Sequence, residues 1–388
     1  MRGLADLLAD PRGVAFLEEH GVFADDAAFA AELRPPERDG LTSLLDLARD
    51  CLLVYVGQQV CADLAPATAA KFTTARDAAA RHGVTPTVLW HDMDSTQSER
   101  YGARIVLPSA KRTRGVWLVS RELEDLEPRF IPVDREHLEA VVADIASWTR
   151  SAVASDRREA RDRLQRLSDA LLAPHVATLA DADRAIVSLL LREALGFDAT
   201  ATYASEMVAS GLLVDSVVEY VAAVDDVVRV FNEAIGRLVA ADIDPQVRLL
   251  SPDHLPLRFS CPLEGTRLRL SRELRGDDVY ATATCRCKTR YEFDLGRGDG
   301  RLGELGQSGR WSIDVSMPIH HNDLASGWVA GRSTALYGLA FNDVLERVFG
   351  RRPIPILVPR ELPPESGPES SLLVRWLTGT GAKTLAAP

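Results

Sequence analysis

The residues best suited to chemistry stand at the ends of two short apolar runs. Leu52-Leu53-Val54-Tyr55-Val56 stops at Gly57-Gln58-Gln59, and Thr87-Val88-Leu89-Trp90 stops at His91-Asp92-Met93-Asp94-Ser95. Gln58 and Gln59 sit where a strand should turn into a helix. Their amides can hold a carboxylate or phosphate beside helix N–H groups, whose dipole favours anions, or they can cap local backbone in a tight turn. His91, Asp92 and Asp94 supply an acid, a base and a ligand for phosphate-bound Mg²⁺. Such a set can move a proton to or from an attacking amine, or hold the metal of a nucleotide. The plainer reading is a solvated loop with a helix N-cap at Asp94 or Ser95. Lys71, one of only four lysines, puts a point ammonium on the Ala-rich stretch between the two runs, as an anion contact or as a solvent-facing side chain.

Three later clusters add to this set. His320, His321, Asn322 and Asp323 fall in an expected loop, Met317 to Asp323, after the strand-like run Trp311 to Val315. Two histidines there can stabilise a transferred phosphoryl group or acyl-adenylate, or decorate a surface loop. Gly331-Arg332-Ser333-Thr334 opens the last long helix, where glycine followed by hydroxyls suits either phosphate binding or a Ser/Thr cap. Cys261-Pro262-Leu263-Glu264-Gly265 and Cys285-Arg286-Cys287 resemble the knuckles of a zinc ribbon, with Leu263 or Glu264 where a second cysteine usually stands. Three thiolates need a fourth ligand for a closed tetrahedral site, and His254 is the candidate. That predicts structural Zn²⁺; buried reduced cysteines are the alternative. Cys51 reads as a packing residue and Cys61 as a loop residue.

Elements must hold these groups in place. Pro66 to His82, with proline near its start and Gly83 past its end, predicts a helix. Strand, helix and strand make a βαβ unit with parallel strands, and ligands in such sheets bind beyond the strands' carboxyl ends. Residues 52–56, 87–90 and 354–358 are expected in one parallel sheet, with further strands near Ala103 to Leu107 and Gly115 to Val119. The full reading is an N-terminal helical segment (1–45), a Rossmann-like core in two halves (46–133 and 301–363), a helical insert (134–245), a cysteine-bearing β module (246–300) and a loose tail (364–388). The fold class is α/β, a nucleotidyltransferase-type parallel sheet with two insertions.

At 388 residues, 46% apolar and 26% charged, the composition is that of an ordinary globular chain of two or three substructures. The net charge of −11 carries no basic tail, which argues against a general DNA binder. No apolar run is long enough to span a bilayer, and Met1 to Asp10 lacks a signal-peptide core, so a cytoplasmic protein is expected. The abundance of Ala and Arg fits a GC-rich bacterial source.

Four pieces in order resemble the bacillithiol-type cysteine-adding enzymes. Val56-Gly57-Gln58-Gln59 with Pro66 and Lys71 resembles that family's Gly-Gln-Gln signature, and Pro86 through Asp94 its strand ending in Trp and an acidic/His cluster. Phe231-Asn232 through Asp244-Pro245-Gln246-Val247, and Val329-Ala330-Gly331-Arg332 with Tyr337 and Pro359-Arg360, are similar to its later segments. The resemblance spans roughly residues 50 to 360. It implies a nucleotidyltransferase-like core that joins cysteine to a glucosaminyl-malate acceptor with a nucleotide involved. The chain departs from the family in the turn after Gln59, in its His91-Asp92-Met93-Asp94 order, in lacking the C-terminal coiled coil, and in its cysteine module. The expectation is a ligase that condenses or activates an amino acid, cysteine favoured, using Mg·ATP, onto a small-molecule or carrier acceptor. The rival expectation is a non-catalytic protein whose module, basic through Arg267, Arg269, Arg272, Arg275, Arg286, Lys288 and Arg290, recognises a carrier protein, a tRNA or a partner enzyme.

Overall fold

Short β-branched runs form most of the strands. In chain order these are β1 (Val22–Phe23), β2 (Leu53–Gln59), β3 (Thr85–His91), β4 (Arg104–Leu107), β5 (Arg114–Trp117), β6 (Thr200–Tyr203), β7 (His254–Ser260), β8 (Arg267–Arg275), β9 (Asp278–Thr284), β10 (Arg290–Asp294), β11 (Trp311–Ile313), β12 (Gly327–Val329) and β13 (Ile356–Leu357). The computed structural model describes residues 1–38, 40–94, 103–108, 113–119, 126–153, 157–296, 302–314, 316–361 and 370–380.

Two units divide the chain. The first comprises Met1–Gly57, Asp77–Leu89 and Ala199–Leu362; the second comprises Gln58–Arg76, Trp90–Asp198 and Pro363–Pro388. The first holds a six-stranded sheet in the order β1-β13-β12-β2-β3-β6. Its pairs Val22↔Ile356, Trp328↔Ile356 and Trp328↔Tyr55 run parallel. Leu53, Val54, Tyr55 and Val56 are fully buried, as strands covered by helices on both faces must be. The helix Pro66–His82 crosses from β2 to β3 and ends at Gly83, whose left-handed φ of +68° suits glycine. The runs expected at 52–56, 87–90 and 354–358 thus share one sheet, a Rossmann-like α/β arrangement.

Several expectations change. Trp311 to Val315 was expected to continue the parallel core. Instead Trp311 pairs with Phe259, and β11 closes an antiparallel five-stranded sheet ordered β10-β9-β8-β7-β11. The strand beside β2 is β12, too short for periodicity to reveal. The expected loop of histidines is mostly the helix Ser316–His321. The long helical stretch is interrupted by β6, which joins the edge of the parallel sheet through the Thr87 Oγ1 to Thr200 carbonyl bond at 3.0 Å.

In the second unit, β4 and β5 form an antiparallel pair; β5 packs on the helix Arg135–Ala152, which packs on Arg157–Leu171, and that in turn on Leu179–Leu195. The tail is not wholly loose: Leu372–Thr378 is a helix capped by Ser371, with Leu373 and Leu377 fully buried. Asp63 ties that helix to the loop after β2 by accepting the Leu373 N–H at 2.8 Å.

Candidate active site and metal centre

Past Gly57 the β2 strand enters the second unit, and its side chains change from aliphatic to amide. Gln58 and Lys71 are both 8% exposed, and Lys71 Nζ donates to Gln58 Oε1 at 2.9 Å. That bond orients the Gln58 amide, whose nitrogen donates to the Gln59 carbonyl at 3.0 Å and faces Cys61 Sγ at 3.7 Å. Burial pulls the Lys71 ammonium down to about 8, while the Cys61 sulfur acts in the opposite sense. Burial and the charges of Asp183 and Asp63 push the Cys61 thiol far up, so it stays a thiol rather than a thiolate nucleophile.

The ends of the two strands meet through side chains. Gln59 Nε2 donates to Asp94 Oδ2 at 2.8 Å, and the His91 carbonyl accepts the Val60 N–H at 3.5 Å. Asp92 is buried, and its carbonyl faces the Arg129 N–H at 3.4 Å. His91 is half-buried. Ser95 lies outside the described residues. Sequence reasoning missed Asp183, a fully buried residue on the helix Leu179–Leu195. Neither of its carboxyl oxygens has a hydrogen-bond partner among the described residues, and burial holds it well above the usual carboxylate range. Helical periodicity marks such a position as core and says nothing of its chemistry.

Gln58, Gln59, Lys71, His91, Asp92 and Asp94 belong to the second unit; His320, His321, Asn322, Gly331, Arg332 and Ser333 belong to the first. His320 Nε2 lies 2.6 Å from the Tyr55 hydroxyl, and its ring meets Trp328 edge-on at 5.1 Å. Burial drives it down to about 3, so the imidazole is neutral and offers no cationic charge to a transferred group. His321 lies 3.2 Å from the Glu219 carboxylate and packs edge-on against Phe349. Asn322 Nδ2 donates to the Leu212 carbonyl at 3.0 Å and to Ser216 Oγ at 3.2 Å, which makes it a structural clamp. Gly331 caps the helix Arg332–Phe349 with extended backbone, so no left-handed geometry demands glycine there. Arg332 and Ser333 form its first turn.

The three late cysteines converge. Cys261 follows β7, while Cys285 and Cys287 occupy the turn between β9 and β10. Their sulfurs all lie within 4.8 Å of one another, and Cys261 Sγ is 3.8 Å from Cys287 Sγ. A tetrahedral zinc with Zn–S bonds of about 2.3 Å would hold its thiolates about 3.8 Å apart. Both turns are knuckle-shaped: Gly265 N–H bonds back to the Cys261 carbonyl, and Lys288 N–H to that of Cys285. Burial works against the Cys261 thiolate, yet the Tyr291 hydroxyl at 3.0 Å and the N–H groups of Glu264 and Leu263 bring it down to about 7. The donor set therefore fits a soft metal ion. His254 is not the fourth ligand. It opens β7 and Cys261 follows the strand's last residue, so seven residue steps of roughly 3.3 Å each separate them. Its ring packs on Tyr220, and burial beside Arg269 and Arg258 lowers it to about 4. Glu264 Oε2, 3.5 Å from Cys285 Sγ, is the carboxylate at the cluster.

The module's arginines are engaged in place. Arg275 and Arg290 bridge Glu273 and Glu292, Arg286 pairs with Glu264, and Arg272 with Asp225.

In comparisons with known proteins, no family model matches the chain and no curated protein matches it. Among the described residues, no helix is long and apolar enough to cross a membrane.

Proposed function

We propose that this chain is a ligase-type enzyme that activates or condenses an amino acid, with cysteine the favoured one, onto a small-molecule or carrier acceptor at the expense of Mg·ATP. The observation that carries the reading is the linked set Lys71–Gln58 and Gln59–Asp94 at the carboxyl ends of β2 and β3. Parallel α/β sheets bind ligands beyond that edge. An ammonium lowered to about 8 by burial gains from an anion, because a carboxylate or phosphate beside it restores the charged form. In this reading Lys71 and the Gln58 amide receive the substrate anion. Asp94, held by Gln59, takes the proton released as an attacking amine forms the C–N bond and phosphate or AMP departs. The resemblance to cysteine-adding enzymes supports the choice of amino acid.

The cysteine cluster belongs to the proposal as a structural zinc site, with Glu264 in place of His254 as the fourth donor. A closed four-ligand site stabilises a fold and leaves no open position for substrate.

The test is amino-acid-dependent release of nucleotide product from Mg·ATP, run across the twenty amino acids and followed by mass analysis of candidate acceptors. The wild type should respond to one or a few of them. Asp94→Asn should lower the rate by roughly 100- to 10,000-fold, the usual loss for a positioned base, with the melting temperature unchanged. A wild-type protein that no amino acid stimulates, or an Asp94→Asn variant of full rate, removes the reading.

A further inference from the structure

The three sulfurs of the cysteine module are not equivalent. Cys261 and Cys285 are buried, whereas Cys287 is partly exposed, so a small oxidant in solution meets Cys287 first. Cys261 and Cys287 stand 26 positions apart in the chain yet their sulfurs lie 3.8 Å from each other. That contact has to shorten by only about 1.8 Å to reach a sulfur–sulfur bond of about 2.05 Å, a distance that side-chain rotation can cover.

Cys285 is held apart from this pair. Its Sγ faces Glu264 Oε2 at 3.5 Å, and Arg286 Nε fixes that same carboxylate oxygen at 2.9 Å. Cys285 and Cys287 also share one tight turn, in which the Cys285 N–H bonds to the Thr289 carbonyl and the Lys288 N–H to the Cys285 carbonyl. A bridge between those two would distort the turn and would leave Cys261 unjoined. The Cys261–Cys287 pair instead links the turn after β7 to the turn between β9 and β10, the same two turns that a metal would join.

We propose that Cys261 and Cys287 form a reversible oxidation site, at which a peroxide exchanges the bound zinc for a Cys261–Cys287 disulfide. That zinc is displaced rests on the structural-zinc reading above; the choice of sulfur pair does not. Coordination keeps the sulfurs as thiolates. The Cys287 thiolate attacks one oxygen of hydrogen peroxide, the O–O bond breaks, and a sulfenic acid forms as hydroxide departs. The Cys261 thiolate then attacks the Cys287 sulfur and expels a second hydroxide. The two sulfurs lose two electrons between them and the peroxide gains both. Zinc is left with Cys285 and Glu264, two donors where a closed site needs four, and is released. A dithiol reverses the step by thiol–disulfide exchange.

The test uses the full chain purified without chelator and treated with hydrogen peroxide. Freed zinc is read with a chromogenic chelator, and the protein is alkylated without reduction, digested and mapped by mass. Zinc release should rise together with a cross-linked peptide joining Cys261 to Cys287, two hydrogens lighter than its separate parts. Cys285 should remain open to alkylation, and dithiothreitol with added zinc should restore the starting state. Cys51→Ser and Cys61→Ser should respond as the wild type does. Cys287→Asp keeps a metal donor but has no sulfur to oxidise, so it should hold its zinc through the same treatment. The wild-type peptide map decides alone should that variant fail to fold. The proposal is overturned if zinc leaves without the Cys261–Cys287 link, if Cys285 forms the bridge, or if Cys287 passes directly to sulfinic acid. A chain that carries no zinc as purified removes the structural-zinc reading, and the peptide map of that metal-free chain still decides the sulfur pair.

Discussion

Lys71 is costly where it sits, which sets it apart from a surface lysine. Its folded pKa is about 8 against an ordinary 10.5, so below pH 8 both folded and unfolded chains carry the proton and the full burial penalty applies. Between pH 8 and 10.5 the unfolded chain still holds the proton that the folded one has released, so stability rises with pH across that window. The shift corresponds to a penalty of about 3 kcal/mol at neutral pH. Lys71→Met keeps the volume and removes this penalty, but it strips Gln58 Oε1 of a donor, a loss of about 1–3 kcal/mol. At pH 7 the variant should match or exceed the wild type by up to about 2 kcal/mol, the difference of those two effects. By pH 10.5 it should be the less stable of the two. Denaturant melts at the two pH values test this, and a variant already well below wild type at pH 7 would show that the ammonium is not a burdened charge. A buried charge that costs stability is the kind of group the proposed anion contact would use.

Among the elements, the five-stranded antiparallel sheet carries the two cysteine turns. Purified without chelator, the protein should contain about one zinc per chain. Cys285→Ser should remove the metal and lower the melting temperature together, and Glu264→Gln should weaken zinc binding while leaving the three thiols in place. Zinc retained in Cys285→Ser would dismiss the cluster as a metal site. The knuckles were legible in sequence because Cys-Pro-x-x-Gly and Cys-x-Cys impose their own turns, whatever surrounds them. The place of His254 was not, since it looks close to Cys261 along the chain while an extended strand carries it to the far end. The parallel sheet was legible where a run was uniformly apolar: β2 and β3 are seven residues each, and β13, though only two, lies inside the apolar run expected at 354–358. β1 and β12 have two and three residues, below the length at which periodicity means anything. β11 illustrates the opposite failure: Trp311-Ser312-Ile313 has strand composition, but composition does not say which sheet will take it. Gln58, Gln59, Lys71 and Asp94 could be picked out as candidates from sequence because each ends or follows an apolar run or rides the crossover helix. Asp183 could not, because its meaning lies entirely in burial.

Across the whole molecule, charge bears on the choice between an enzyme and a nucleic-acid or carrier-protein binder. The net charge is −11, and four of the arginines that would make the cysteine module a basic surface, Arg272, Arg275, Arg286 and Arg290, are bound to neighbouring acids, while Arg267 and Arg269 donate to serine hydroxyls. Exposed pairs of this kind add little to stability, about 0–1 kcal/mol each, but they cancel the local field that a phosphate backbone would feel. Association with nucleic acid draws most of its strength from releasing counterions, and each neutralised phosphate steepens the salt dependence by roughly one unit of log–log slope. A module in which most of the arginines are already paired should release few. The protein should therefore show no retardation of tRNA in a gel at 150 mM salt and no retention on heparin, and charge-removing variants such as Arg290→Gln should change neither. Salt-sensitive tRNA binding with a slope of several units, abolished by Arg290→Gln, would mean that the ion pairs open to admit phosphate. The module would then be the working surface, and the amide and lysine cluster after β2 a structural remnant.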